Sequence, residues 1–159
     1  MNVLFLHGLE SKPTGPKMEY LKDRFTNYYA PEIDYEDPDA YEEILDLCIA
    51  EEFDMIIGSS MGGYFAYAIG TTLGTPVIMF NPALHSRKFN PYGVVNGEKP
   101  IDGVCVLSMD DDVIDPIKTY NMLKDCEKLA IIPIQGAGHR VSFADFVDVI
   151  EKVVPAEIE

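Results

Sequence analysis

Six short apolar runs punctuate the chain: Val3 to Leu6, Tyr28 to Ile33, Met55 to Gly58, Val77 to Phe80, Val104 to Met109 and Leu129 to Ile134. They are mostly continuous rather than alternating, which predicts strands buried on both faces of a parallel sheet. Between them the hydrophobic period becomes that of a helix. Tyr41, Ile44, Leu45, Cys48 and Ile49 fall at i, i+3, i+4, i+7 and i+8, and Asp39 with Glu42 has the form of a capping box. A helix is expected to begin near Met61, and Asp115-Pro116 predicts another, with the Asp as cap and the Pro at N1. For the last helix Ser142 is the expected N-cap and Val141 with Phe146 a hydrophobic staple. Phe143, Val147, Ile150 and Val154 are its expected buried stripe. Strands alternating with helices predict a three-layer α/β fold of about six mostly parallel strands, with helices on both faces. The stretch from His85 to Ile101, rich in Pro, Gly and Asn, is expected to be irregular.

Size and charge narrow this picture. A chain of 159 residues buries enough surface for one core, so a single domain over 1–159 is expected. The net charge of −15 removes long-range attraction to nucleic acid and to anionic lipid, and is read as serving solubility. Cys48, Cys105 and Cys126 are odd in number and lack ligand or disulfide spacing, so they are expected to be reduced. Cys48 and Cys105 sit in apolar patterns and are expected in the core. Met1 leads directly into the first apolar run without a basic leader, and no apolar stretch nears the ~20 residues of a membrane span. The expectation is a cytoplasmic protein without a membrane partner.

Candidate chemistry enters at Gly58-Ser59-Ser60-Met61-Gly62, a G-x-S-x-G pattern placed where a strand gives way to a helix. A tight turn there would lift the Ser60 hydroxyl above the sheet, and side chains at 58 or 62 would collide with the neighbouring strand and helix. The plain alternative is a Gly-Ser turn with no chemical role. An acyl-transfer site also needs oxyanion donors, for which the backbone N–H groups of Leu9, after His7-Gly8, and Met61, at a helix start, are the candidates. His7 reads as structural and His85 as a surface or rim residue. The candidate base is His139, in the Gly-rich turn Gly136-Ala137-Gly138 between the last strand and last helix, late in the chain as the order Ser, Asp, His requires. The acid should lie among Asp110, Asp111, Asp112 and Asp115. Asp115 is accounted for as a helix cap and Asp110 by closeness to the strand, leaving Asp111 or Asp112.

Taken together, His7-Gly8-Leu9, Gly58 to Tyr64, Asn81-Pro82-Ala83, Asp111 to Asp115 and Gly138-His139 resemble the YqiA-like small bacterial esterases of the α/β-hydrolase superfamily. The resemblance spans nearly the whole chain, and departs at Ser108-Met109, where such hydrolases usually have a glycine before the acid. It implies a reduced α/β-hydrolase fold, with Ser60, Asp111 and His139 as catalytic triad and Leu9 and Met61 as oxyanion hole. A small acyl ester or thioester would be the substrate, without metal or other cofactor. Only Ala83 to Ile101 separates two strands where this superfamily often inserts a cap domain, so no large cap is expected. The competing reading is a non-catalytic binding or interaction protein that keeps the fold.

Overall fold

A computed structural model describes residues 1–156 of the protein. Its strands are β1 (Asn2–Leu6), β2 (Asn27–Tyr29), β3 (Met55–Ser59), β4 (Val77–Phe80), β5 (Gly103–Ser108) and β6 (Leu129–Ile134). Its helices are α1 (Pro16–Arg24), α2 (Ala40–Glu51), α3 (Met61–Leu73), α4 (Pro116–Leu123) and α5 (Phe143–Val153). The strands form one sheet in the order β2-β1-β3-β4-β5-β6, and every pairing is parallel. Because side chains alternate across a strand, each run feeds two cores. Leu4, Leu6, Ile56, Met79, Cys105 and Leu107 pack with α2, α3 and Leu123 of α4 on one face. Val3, Phe5, Ile57, Phe80 and Val106 pack with α1 and α5 on the other. Burying each such aliphatic or aromatic side chain contributes about 1.5–3 kcal/mol. This is the three-layer α/β architecture that the resemblance implies, with no large cap: residues 81–102 between β4 and β5 form neither helix nor strand.

Four local expectations need correction. β2 ends at Tyr29 rather than Ile33, because Pro31 has no N–H to donate to a ladder and the Ile33 N–H donates instead to His7 Nε2 at 2.8 Å. Asp39 makes no side-chain cap at α2: the Asp37 carboxylate takes the Asp39 N–H at 2.9 Å, and the Asp37 carbonyl takes that of Ala40 at 3.2 Å. Ile49 is 57% exposed, since the buried face of α2 is already filled by Tyr41, Ile44 and Cys48. Phe143, at N1 of α5, is 46% exposed and Val147 only half-buried, so Phe146 and Val149 join Ile150 and Val154 in the buried stripe. The caps at the other two helix starts form as the sequence predicts. Asp115 accepts from the Ile117 N–H at 2.9 Å and Ser142 from that of Asp145 at 3.1 Å, while Val141 and Phe146 share the core beneath α5.

Candidate active site

The C-terminal ends of the parallel strands carry the chemically interesting residues, where an open α/β sheet places its ligands. Ser60 follows β3 and caps α3 with φ 54° and ψ −113°. A non-glycine residue with positive φ costs on the order of 1–3 kcal/mol and persists only where its surroundings impose it. Those surroundings are visible. The Ser60 N–H donates to Phe80 O at 3.0 Å, and the Ser60 carbonyl accepts from Ala83 N at 3.0 Å and Tyr64 N at 3.1 Å. The turn also depends on missing side chains: a Cβ at Gly58 would lie 2.3 Å from Gly62 O, and one at Gly62 only 2.0 Å from Leu6 O. Helix α3 therefore crosses β1 and β3 in backbone contact, and the hydroxyl is thrust out of the turn.

His139 meets this hydroxyl. Its Nε2 lies 2.9 Å from Ser60 Oγ, and its Nδ1 lies 2.8 Å from Asp111 Oδ2. A carboxylate facing Nδ1 can only accept, so Nδ1 carries the proton and Nε2 is free to accept from the serine. The Asp111 side chain is 1% exposed, and its Oδ1 takes the N–H groups of Val113 at 2.8 Å and Ile114 at 2.9 Å. The structure thus brings Ser60, His139 and Asp111 into one hydrogen-bonded line. It leaves Asp112 exposed, uses Asp110 Oδ1 to accept the Gly138 N–H at 3.1 Å, and employs Asp115 at the start of α4. Gly136 (φ 70°) and Gly138 (φ 66°) give the loop its left-handed path.

Leu9 and Met61 both line the cleft above Ser60, and neither N–H donates to another described residue. The loop that carries Leu9 is fixed by His7, which is buried. The Ile33 N–H donates to His7 Nε2, so Nδ1 bears the proton and donates to Gly8 O at 2.6 Å, while the Tyr35 hydroxyl donates to the His7 carbonyl. His7 is thereby committed to structure. His85 Nε2 donates to Asp115 O at 3.1 Å, away from the Ser60 hydroxyl.

Asn81 is the residue to which sequence reasoning gave no role. It is buried with φ 45°, its Oδ1 accepts the Ser108 N–H at 2.8 Å, and its Nδ2 donates to Ser108 Oγ at 3.0 Å and His139 O at 2.8 Å. One carboxamide ties β4 to β5 and to the histidine loop. Its signal was an Asn at a strand end before Pro82, since Asn tolerates a left-handed backbone better than most residues. The departure noted at Ser108 is also explained, because its hydroxyl is half of this contact.

The line Ser60–His139–Asp111 opens on a cleft of about 710 Å³. Phe5, Met18, Phe80 and Phe146 make much of its wall apolar.

The model of Uncharacterised protein family UPF0227 matches residues 2–93. Among solved structures, the monoacylglycerol lipase of Paleococcus ferrophilus is similar at TM-score 0.74 and 14% identity, covering 98% of this chain and 94% of that one. Alpha/beta hydrolase domain-containing protein 10 from mouse is similar at TM-score 0.72 and 12% identity, covering 96% and 87%. The esterase RhEst1 from Rhodococcus sp. ECU1013 is similar at TM-score 0.67 and 13% identity, covering 98% and 91%. Likeness at such identities establishes the shared fold.

Proposed function

Because the chain belongs to Uncharacterised protein family UPF0227, the YqiA-like family, and has the α/β-hydrolase fold, we propose that it is a serine hydrolase of carboxylic esters or thioesters. The observation that carries this reading is the continuous hydrogen-bonded line from Ser60 Oγ through His139 to Asp111 at the mouth of the cleft. In the proposed reaction His139 Nε2 takes the Ser60 proton as Oγ bonds to the substrate carbonyl carbon. The carbonyl oxygen becomes an oxyanion held by the Leu9 and Met61 N–H groups, and Asp111 stabilises the imidazolium. Collapse expels the alcohol or thiol, which receives the proton from His139. Water, deprotonated by the same nitrogen, then attacks the acyl-enzyme and frees the carboxylic acid and Ser60.

A fluorophosphonate probe and a panel of short to long acyl esters and thioesters test the proposal. Wild type should be labelled once and turn over part of the panel, with both lost in Ser60→Ala. Labelling that survives in Ser60→Ala would place the reactive nucleophile elsewhere, and inactivity across the panel with an unlabelled Ser60 would favour a binding module instead.

A further inference from the structure

A substrate class follows from the charges around the cleft, and it rests on the hydrolase reading. The chain carries 27 acidic and 12 basic side chains. The cleft reverses that balance: Lys12, Lys17, Arg87, Lys88 and Arg140 line it, against Glu10 as the single carboxylate. Three of these cations are engaged. Lys88 lies 3.4 Å from Glu10 and Lys12 3.9 Å from Glu32, both pairs at the exposed rim. Arg87 donates to the carbonyls of Ala83 at 2.9 Å and Leu84 at 2.8 Å and stacks over Tyr64.

Arg87, Lys17 and Arg140 have no carboxylate partner among the described residues, and of the three Lys17 and Arg140 keep most of their donors free. Lys17 stands in the first turn of α1, and its ammonium donates to Val141 O and lies 5.5 Å from the centre of the Phe146 ring. That spends one of its three donors. Arg140 directly follows His139, and its five guanidinium donors find no acceptor among the described residues. The two charges oppose each other. Burial first, and then the charge of Arg140, hold the Lys17 ammonium below its ordinary pKa. An anion received by both removes that repulsion and gains charge-assisted hydrogen bonds. Beside them, Phe5, Met18, Phe80 and Phe146 offer an apolar surface to the rest of the molecule.

We infer that Lys17 and Arg140 form an anion subsite within the catalytic cleft. The substrate is then an acyl ester that also bears a carboxylate, phosphate or sulfate group apart from the ester itself.

Three matched ester pairs test this: para-nitrophenyl hydrogen glutarate against the pentanoate, para-acetoxybenzoate against its methyl ester, and para-acetoxyphenyl phosphate against para-methoxyphenyl acetate. The first places a carboxylate on the acyl side, and the others place a carboxylate or a phosphate on the alcohol side. For at least one pair, Lys17→Met combined with Arg140→Gln should lower the charged-to-neutral ratio of kcat/KM by about tenfold or more. Each single variant should lose part of it, and Lys152→Met, distant on α5, should keep the wild-type ratio. A ratio unchanged in the double variant for every pair would overturn the subsite. Calorimetric binding of the same pairs to Ser60→Ala gives the comparison without turnover. Inactive wild type therefore defeats the hydrolase reading, whereas equal affinity for charged and neutral members defeats the anion subsite.

Discussion

Asp111 divides its work between two oxygens, and the division predicts what an amide in its place would do. Oδ1 accepts from two backbone N–H groups at 2.8 and 2.9 Å, and Oδ2 from His139 Nδ1 at 2.8 Å. In Asp111→Asn the amide oxygen must stay with the two N–H groups, which turns the NH₂ toward His139. The imidazole then presents Nδ1 as acceptor and moves its proton to Nε2, where the serine needs an acceptor. We expect kcat to fall roughly 10³- to 10⁴-fold in steady-state kinetics. Asp112→Asn should remain near wild type because Asp112 is exposed, and so should Asp110→Asn, which keeps an oxygen for Gly138. A crippled Asp112→Asn beside an active Asp111→Asn would refute the assignment. Asn81→Asp poses a related question, since it sets an acceptor against the His139 carbonyl in place of the donor now 2.8 Å away. Loss of that anchor should cost about 1–3 kcal/mol of stability and lower kcat by about 10²-fold through displacement of the imidazole. Thermal unfolding read beside kcat separates the two. An unchanged rate per folded molecule would mean that Asn81 only joins strands.

Among the helices, α4 offers the cleanest separation of stability from chemistry. Asp115 is exposed and holds the first turn through Ile117 N at 2.9 Å, while Asp111, four residues earlier, serves the histidine. Asp115→Ala should therefore cost about 1 kcal/mol in chemical denaturation and leave the rate per folded molecule unchanged. A loss below about 0.3 kcal/mol would show that Pro116 at N1 suffices. The same contrast shows what could be read from the chain. The strands were legible because continuous apolar runs have few other fates, and α4 and α5 because their caps are written in adjacent residues. The bounds of α1 were not, since its start lies in a Gly- and Pro-rich stretch and its only buried residues are Met18 and Leu21; Pro16 at N1 was the available clue. The apolar run from Tyr28 to Ile33 overstates β2, because hydrophobicity cannot show that Ile33 gives its N–H to a histidine 26 residues away. Ser60 and His139 could be marked from strand-turn-helix context. The choice between Asp111 and Asp112 could not come from periodicity, because a single residue decides which carboxylate turns inward, and it came from family resemblance. The Asn81 contacts depend on residues 27 and 58 positions apart, a separation that no local pattern encodes.

At the scale of the whole molecule, three free cysteines report on how the sheet opens. Cys105 is 0% exposed at the middle of β5, paired on both sides by β4 and β6, and burial pushes its thiol pKa up. Cys48 lies on the buried face of α2, where burial pushes the thiol up to about 12. Cys126, in the turn between α4 and β6, is partly exposed. Thiolate is the reacting species, so both access and ionisation protect the first two. With a disulfide reagent under native conditions, Cys126 should react first and the others about 10³-fold or more slowly, through rare opening. The two slow sites should also differ from each other. Baring Cys48 needs only α2 to lift from the sheet, whereas Cys105 projects from the middle of the sheet into the core beneath α3 and α4, so baring it needs that whole face uncovered. The rate at Cys105 should then follow global unfolding and rise with denaturant at the full equilibrium slope, and that at Cys48 should rise more gently. Equal slopes would mean that α2 and the sheet open as one unit, and Cys105 reacting as fast as Cys126 would contradict the closed central sheet.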